Sequence, residues 1–185
     1  KHLDLLGIIV LGVTTAVGGG MIRDLIIGIH PPTLFVKPVY VWMAFLSVFL
    51  LFIIVRFCRI TIEVLESDLY ERVMNLLDAI GLGAFTVVGI DTAIEAGFGD
   101  YRFLMIFLGT ITGVGGGILR DIMAGQTPAV LKKHVYACAS IAGAVCYVSL
   151  LNLLGNDLSM IVSALLVVII RILARKYRWN LPTAM

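Results

Sequence analysis

Residues 5–22, 38–55, 103–119 and 135–156 contain no charged side chain. Each run is about long enough to cross ~30 Å of hydrocarbon as a helix rising 1.5 Å per residue. A fifth apolar segment, 73–96, carries Asp78 and Asp91 toward its ends, and a sixth, 158–174, is interrupted only by Arg171. The runs are continuous rather than alternating, so helices are expected and barrel strands are not. Backbone in lipid must also satisfy its own hydrogen bonds, which a helix does within one segment. The predicted fold is an all-α polytopic membrane protein with six spanning helices. Composition agrees: 60% of residues are hydrophobic and 14% charged, where a soluble domain is about a quarter charged.

Within this apolar background one phrase occurs twice, as AVGGGMIRDLIIG (16–28) and GVGGGILRDIMAG (113–125). At an offset of 97 residues, 12 of 24 positions in 11–34 and 108–131 are identical. This is an internal duplication. Each copy continues into a short Pro-containing loop and a plain helix. The second copy is also preceded by a helix, 76–97, whose counterpart would fall before Lys1. The expected plan is therefore two three-helix repeats plus a seventh helix, with the first helix absent from this chain. The units would be 1–57 (first repeat, lacking its first helix), 58–71 (cytoplasmic linker), 72–154 (second repeat) and 155–185 (seventh helix and tail). An odd number of helices per repeat inverts the second copy about an axis in the membrane plane. Threaded this way, Lys1, Arg56, Arg59, Arg72, Lys132, Lys133, Arg175, Lys176 and Arg178 fall on one side and only Lys37 and Arg102 on the other. That bias marks the first side as cytoplasmic. It places the C-terminus inside and the N-terminus of a seven-helix chain outside.

The repeated phrase is poor material for a spanning helix. Gly costs about 1 kcal/mol against Ala in a helix interior, and Gly18, Gly19 and Gly20, like Gly115, Gly116 and Gly117, are consecutive. Both triplets fall near the bilayer midplane, so kinked second and fifth helices are expected. The half-helices starting near Met21 and Ile118 would offer free N–H groups, and loosened carbonyls would face a cation or water. Close helix packing through small residues is the alternative. Thr15 and Thr112, one turn earlier, can face a pore or bond back to their own helix. Arg23 and Asp24, like Arg120 and Asp121, are neighbours about 100° apart on a helix and are not expected to face each other. Each would find a partner in the opposite repeat, at a carbonyl end or in water. They would serve as gate residues, or as structural ion pairs with the arginines snorkelling to the interfaces.

Other polar residues are weaker signals. Asp78 is expected to open a helix and complement its dipole. Lys132, Lys133 and His134 form a basic cluster that sets topology and can meet anionic lipid. Trp42 and Trp179 suit interfacial anchoring. The small residues of ACASIAGA (137–144) suggest a tight helix contact, a candidate interface between subunits. His30, beside Pro31 and Pro32, is incidental. Cys58, Cys138 and Cys146 show no disulfide or zinc spacing. With no nucleophile–base pair and no metal-ligand cluster, neither an enzyme nor a cofactor is expected. A net charge of +2 does not imply a nucleic-acid partner.

The paired GGGxxRD phrases, the three-plus-three-plus-one plan, the leading KHLDLLG and the terminal RWNLPT resemble the bacterial branch of the trimeric intracellular cation (TRIC) channel superfamily. The same branch is also called the bacterial glycine transporter family. The resemblance covers nearly the whole chain. It implies an inner-membrane homotrimer with a pore in each subunit, lined by the two Gly-kinked helices, and voltage-influenced conduction of potassium. The family's glycine, Arg and Asp positions fall on Gly18–Gly20, Arg23, Asp24, Gly115–Gly117, Arg120 and Asp121. The Lys-Glu-Val element of animal relatives is not found at either glycine triplet, so their lipid regulation is not carried over. The expected function is a passive monovalent-cation channel. The alternative is a secondary transporter of glycine or another small amino acid, with half-helix N-termini holding the carboxylate. A non-transporting scaffold accounts for the apolar helices but not for the duplicated polar phrase.

Overall fold

The computed structural model describes residues 4–57, 68–132 and 135–179, and within them every regular element is helical. The order is α1 (Leu5–Ile26), α2 (Thr33–Val36), α3 (Val39–Phe57), α4 (Asp68–Ala93), α5 (Arg102–Met123), α6 (Ala129–Lys132) and α7 (Tyr136–Lys176), with a π-helical turn at Ile94–Phe98 closing α4.

Local chemistry sets the ends of the duplicated helices. Asp4 caps α1, its carboxylate accepting the Gly7 N–H at 2.7 Å. Gly28 (φ +75°) and Gly125 (φ +61°) follow α1 and α5 in the left-handed region. That conformation turns the chain so that Ile29 N–H reaches the Asp24 carbonyl (2.9 Å) and Gln126 N–H the Asp121 carbonyl (2.8 Å). Both are glycine-terminated helix ends of the Schellman type, which accounts for the repeated glycine.

A straight helix of 41 residues would be about 60 Å long, twice a bilayer core. α7 is instead a hairpin. Gly155, at φ 75° and ψ 177°, interrupts it. Gly143 and Val167, each twelve residues from Gly155, pack against one another. The limbs are 136–154 and 156–176. With the hairpin so divided, the six expected membrane segments are α1, α3, α4, α5 and the two limbs of α7.

α4 sits at the centre of the bundle, between α5 and the α7 hairpin; α1 packs on α5 and carries α3 on its outer side. Tyr147, Leu82, Ile90, Met105, Leu108 and Val167 are fully buried. Small residues bring the backbones together, as is usual where lipid removes the hydrophobic drive between helices. A Cβ at Gly83 would lie 2.8 Å from the Ala164 carbonyl oxygen, and one at Gly109 2.8 Å from that of Thr86. Trp42, Met43, Leu46, Leu50 and Leu51 of α3 are exposed, an outer surface suited to lipid.

Three expectations are corrected here. Asp78 does not open a helix, because α4 begins ten residues earlier at Asp68; it pairs inside the bundle instead. The same early start makes 68–71 helical, so the end of the expected 58–71 linker belongs to α4, while 58–67 lie outside the described residues. Part of the stretch 137–144 faces inward: Ala139, Ser140 and Ala144 are completely buried, and Ser140 Oγ lies 2.7 Å from Thr86 Oγ1 of α4, while Cys138 and Ile141 are exposed. The buried residues make the tight helix contact with α4 inside the subunit. Lys1, Lys133 and His134 lie outside the described residues, as does the side chain of Lys132.

Gly155 and Gly81 separate backbone strain from packing, since a Cβ added at either would meet no heavy atom within 4 Å. G155A forces a side chain into a region open essentially only to glycine and should cost about 1–3 kcal/mol. G81A lies in the helical region of α4 and should be neutral or stabilising by up to about 1 kcal/mol. Thermal unfolding of the detergent-solubilised protein measures both.

Candidate functional site

The two glycine triplets meet. A Cβ on Gly19 would overlap the carbonyl of Thr112, and one on Gly116 would overlap the carbonyl of Thr15. A Cβ on Gly18 would stand 3.5 Å from Gly116 Cα, and one on Gly115 3.2 Å from Gly19 Cα. Thr15 and Thr112 are counterparts in the duplication, as are Gly19 and Gly116. The contact is thus reciprocal, the pattern that a two-fold relation between elements produces. The touching pairs run in opposite senses, so α1 and α5 cross antiparallel. Arg23 and Arg120 consequently fall at opposite ends of the crossing.

The expected breaks are not present. Both helices remain α-helical through their triplets, with no non-helical residue in α1 or α5. No half-helix begins at Met21 or Ile118. The glycines are used for close approach: the first two of each triplet take the opposing backbone, and the hydrogen-bond ladder, which lipid makes costly to open, stays closed. The third glycine has a different neighbour. A Cβ at Gly20 would lie 3.6 Å from Arg23 Nη2, and one at Gly117 3.8 Å from Arg120 Nη2, each the guanidinium one turn on. The Thr15 and Thr112 hydroxyls donate to the Leu11 and Leu108 carbonyls, both at 2.6 Å.

The Arg-Asp neighbours do face each other, against expectation. Arg23 Nε (3.0 Å) and Nη2 (2.7 Å) donate to Asp24 Oδ1. Arg120 Nε donates to Asp121 Oδ1 at 2.9 Å, with Nη2 also at 2.9 Å. The angle between Cβ directions misleads because the guanidinium is a long-armed fork that can curl onto the next residue. The remaining carboxylate oxygen is taken by a backbone donor: Asp24 Oδ2 accepts Thr33 N–H, and Asp121 Oδ2 accepts Ala129 N–H, both at 2.7 Å. Each Arg-Asp pair therefore latches the end of its long helix to the start of the short helix that follows. The donors differ by one register. The counterpart of Ala129 is Pro32, which has no N–H, so the first latch uses Thr33.

The latches differ in exposure. The Arg23 side chain is 8% exposed and that of Arg120 41%. Beside Arg120 lies a cavity of about 10 Å³, room for roughly one water, lined among others by Gly117, Asp121, Ala129 and Tyr136. Two polar groupings were missed by sequence reasoning. Arg171 Nη2 donates to Asp78 Oδ2 at 3.0 Å, and Tyr136 Oη donates to Asp78 Oδ1 at 3.0 Å. Tyr147 Oη donates to Asn156 Oδ1 (2.7 Å), whose Nδ2 donates to Asp91 Oδ1 (2.8 Å). The signal for the first was available: Asp78 and Arg171 are opposite charges, each isolated in an apolar segment. Among the described residues no group of three His, Cys, Asp or Glu side chains is arranged to hold a metal.

The family model for glycine transporters matches residues 1–56 and 75–152. The UPF0126 membrane protein YvgT of Bacillus subtilis is 35% identical over 98% of this chain and 84% of its own length. The UPF0126 inner membrane protein YadS of Escherichia coli K12 is 34% identical over the same shares. Among solved structures, a TRIC cation channel superposes with a TM-score of 0.85 at 36% identity, covering 99% of this chain and 85% of that one. The chain belongs to the UPF0126 glycine-transporter family, the prokaryotic branch of the TRIC superfamily. A prokaryotic TRIC channel crystallised in 0.5 M KCl gives a TM-score of 0.82 at 30% identity, covering 97% of this chain and 86% of that one. The family plan of apolar helices makes this TRIC relative a multi-pass membrane protein.

The crossing separates the glycines of each triplet by role. G19A and G116A place a methyl against opposing backbone that cannot yield, and each should destabilise by about 1–3 kcal/mol. G20A and G117A meet only a flexible guanidinium and should be neutral or slightly stabilising. Reversible unfolding in mixed micelles distinguishes the two classes.

Proposed function

We propose that this chain is the subunit of a passive monovalent-cation channel, conducting potassium between α1 and α5. The observation that carries the reading is the reciprocal glycine crossing with an Arg-Asp latch at each end. It is supported by likeness over 99% of the chain to a TRIC cation channel. The halves are inverted repeats. The pore residues are Gly18, Gly19, Gly20, Thr15 and their counterparts Gly115, Gly116, Gly117, Thr112. In the closed crossing, backbone meets backbone and leaves no path. Separation of the helices exposes the threonine hydroxyls and the space beside the third glycines, a polar lining that can replace part of an ion's hydration shell.

Arg23 and Arg120, held by Asp24 and Asp121, are the gates. A guanidinium in the path repels a cation; its Asp neighbour neutralises it and fixes where it sits. Movement of either Arg through the membrane field is worth about 2.3 kcal/mol per full charge per 100 mV, which makes opening sensitive to voltage. The subunits form a homotrimer in the inner membrane. Arg72, Arg175, Lys176 and Arg178 lie toward the cytoplasm, which is the end of the Arg120 latch. Contact of anionic lipid with Lys132 and Lys133 rests on the sequence alone.

A glycine carrier is the second reading, favoured by the description of the matching family model. It needed half-helix N-termini for the substrate carboxylate, and the unbroken α1 and α5 do not provide them.

The full-length protein in a planar bilayer under a potassium gradient should show unitary currents reversing near the potassium potential. R120Q should shift the voltage for half-opening by tens of millivolts, on the order of the field energy above. Saturable glycine uptake and counterflow in liposomes, without unitary currents, would replace the channel with a carrier. Currents indifferent to R120Q would remove the gate assignment.

A further inference from the structure

The Arg120 latch has a fixture that the Arg23 latch lacks. Tyr136 walls the small cavity beside Arg120 and Asp121. Its hydroxyl is bonded to Asp78 Oδ1, and the Arg171 guanidinium carbon lies 4.5 Å from its ring centroid. Arg171 closes the triangle through its 3.0 Å bond to Asp78 Oδ2. Three elements are joined this way: α4 by Asp78, the first limb of α7 by Tyr136 and the second limb by Arg171.

Packing alone does not require such a group. The Arg171 side chain is 10% exposed, and its Nε is buried with no hydrogen-bond partner among the described residues. A buried polar donor left unmade is destabilising. Well-packed apolar side chains of similar volume often hold helices as well as a buried ion pair does, or better. Two of these elements, α4 and the second limb, are also joined further out by Arg175, which pairs with Glu71 at 3.1 Å. Among the described residues the Asp78–Arg171 pair is therefore not the only tie between α4 and the second limb.

Its placement is one-sided. At the repeat offset of 97 residues the counterpart of Tyr136 is Val39, which has neither ring nor hydroxyl. The second limb of α7 lies outside the duplicated segment. The fixture thus serves only the latch whose arginine is the more exposed, 41% against 8%.

We propose that Asp78 and Arg171 are positioning residues for the Arg120–Asp121 latch. They hold Tyr136 as the wall that keeps this latch closed, and they set it independently of the Arg23–Asp24 latch. The pair carries no net charge, so its formation encloses two charges that cancel. Neutralising Asp78 frees Arg171 to turn toward the polar end of the helix, withdraws the cation from the Tyr136 ring and removes the hydroxyl's acceptor. The wall then loosens and the cavity beside Asp121 opens to water. The inference rests on the reading of the latches as gates.

The test uses the full-length protein in liposomes, with Cys58, Cys138 and Cys146 replaced by serine. A129C reports on the Arg120 latch and T33C on the Arg23 latch; in both cases the latch bond is made by the backbone N–H and is retained. Labelling by a membrane-impermeant maleimide is followed from each side in turn. D78N and R171Q should each raise the labelling rate at A129C about tenfold, the equivalent of ~1.4 kcal/mol, and leave T33C unchanged. Y136F, which deletes one hydroxyl and keeps the ring, should give a smaller rise and carries the test if the charge variants fail to fold. The exchanged pair D78R/R171D should return the rate toward the parent. An unchanged rate at A129C, or an equal rise at both reporters, overturns the proposal; the latter would mark a general clamp. A selective rise at A129C in a protein that gives no unitary currents leaves the positioning role standing and removes the channel reading alone.

Discussion

The rest of the molecule depends on two backbones touching. Where Gly19 meets the Thr112 carbonyl and Gly116 the Thr15 carbonyl, no side chain separates α1 from α5. A contact of this kind fixes helix rotation and register more tightly than interleaved leucines can, because backbone does not change rotamer. Register then decides what happens a turn or two away. It places Arg23 and Arg120 at opposite ends of the crossing and leaves the third glycines facing them. In lipid the contact also has a thermodynamic logic. Apolar side chains gain nothing by leaving lipid tails for one another, so dispersion between closely fitted surfaces carries the association.

Around that crossing, polar groups are arranged so that little is left for lipid to solvate. The hydroxyls of Thr15 and Thr112 return to carbonyls of their own helices. The charged side chains Arg23, Asp24, Arg120, Asp121, Asp78 and Arg171 are paired, and Asp91 accepts from Asn156. A buried pair is weak evidence of stability, since desolvation offsets most of the attraction. The pairs are better understood as fixing geometry. Each Arg-Asp latch commits its second carboxylate oxygen to a short helix. Motion of the arginine is thereby tied to motion of the loop at the membrane surface.

Much of this was legible in the residues. Apolar run length located the six apolar helical segments, including the two limbs that Gly155 separates. The offset of 97 pointed to the residues that meet at the crossing, and Gly28 and Gly125 marked the helix ends. The sequence was ambiguous where a residue's role depends on what lies opposite. Three glycines weaken a helix and also let another approach; only the partner backbone decides between kink and contact. Gly12 and Gly109 show the same point. They are counterparts, yet a Cβ on Gly12 would run into Val48 of α3, while one on Gly109 would meet Ile90 and Thr86 of α4. Angular separation around a helix failed for Arg23 and Asp24 because it describes Cβ directions, not the reach of a guanidinium. Asp78 and Arg171 are 93 residues apart, and no local pattern joins them, although two lone opposite charges in apolar spans were reason to pair them.

Duplication gives two latches of the same chemistry, but it does not give them the same surroundings. In the second repeat α5 is packed against α4 and α7, whereas in the first repeat α1 packs chiefly against α3 and α5. Tyr136 stands where the first repeat has Val39. Identical bonds in different environments have different strengths: a pair whose arginine is 8% exposed is screened less than one whose arginine is 41% exposed, and its opening must carry charge out of a lower dielectric. On the proposed reading of the latches as gates, two in series with unequal closing energies would respond to different ranges of the same field. On that reading the extra fixture of Asp78, Arg171 and Tyr136 belongs beside Arg120, the latch whose arginine is the less enclosed by its own subunit.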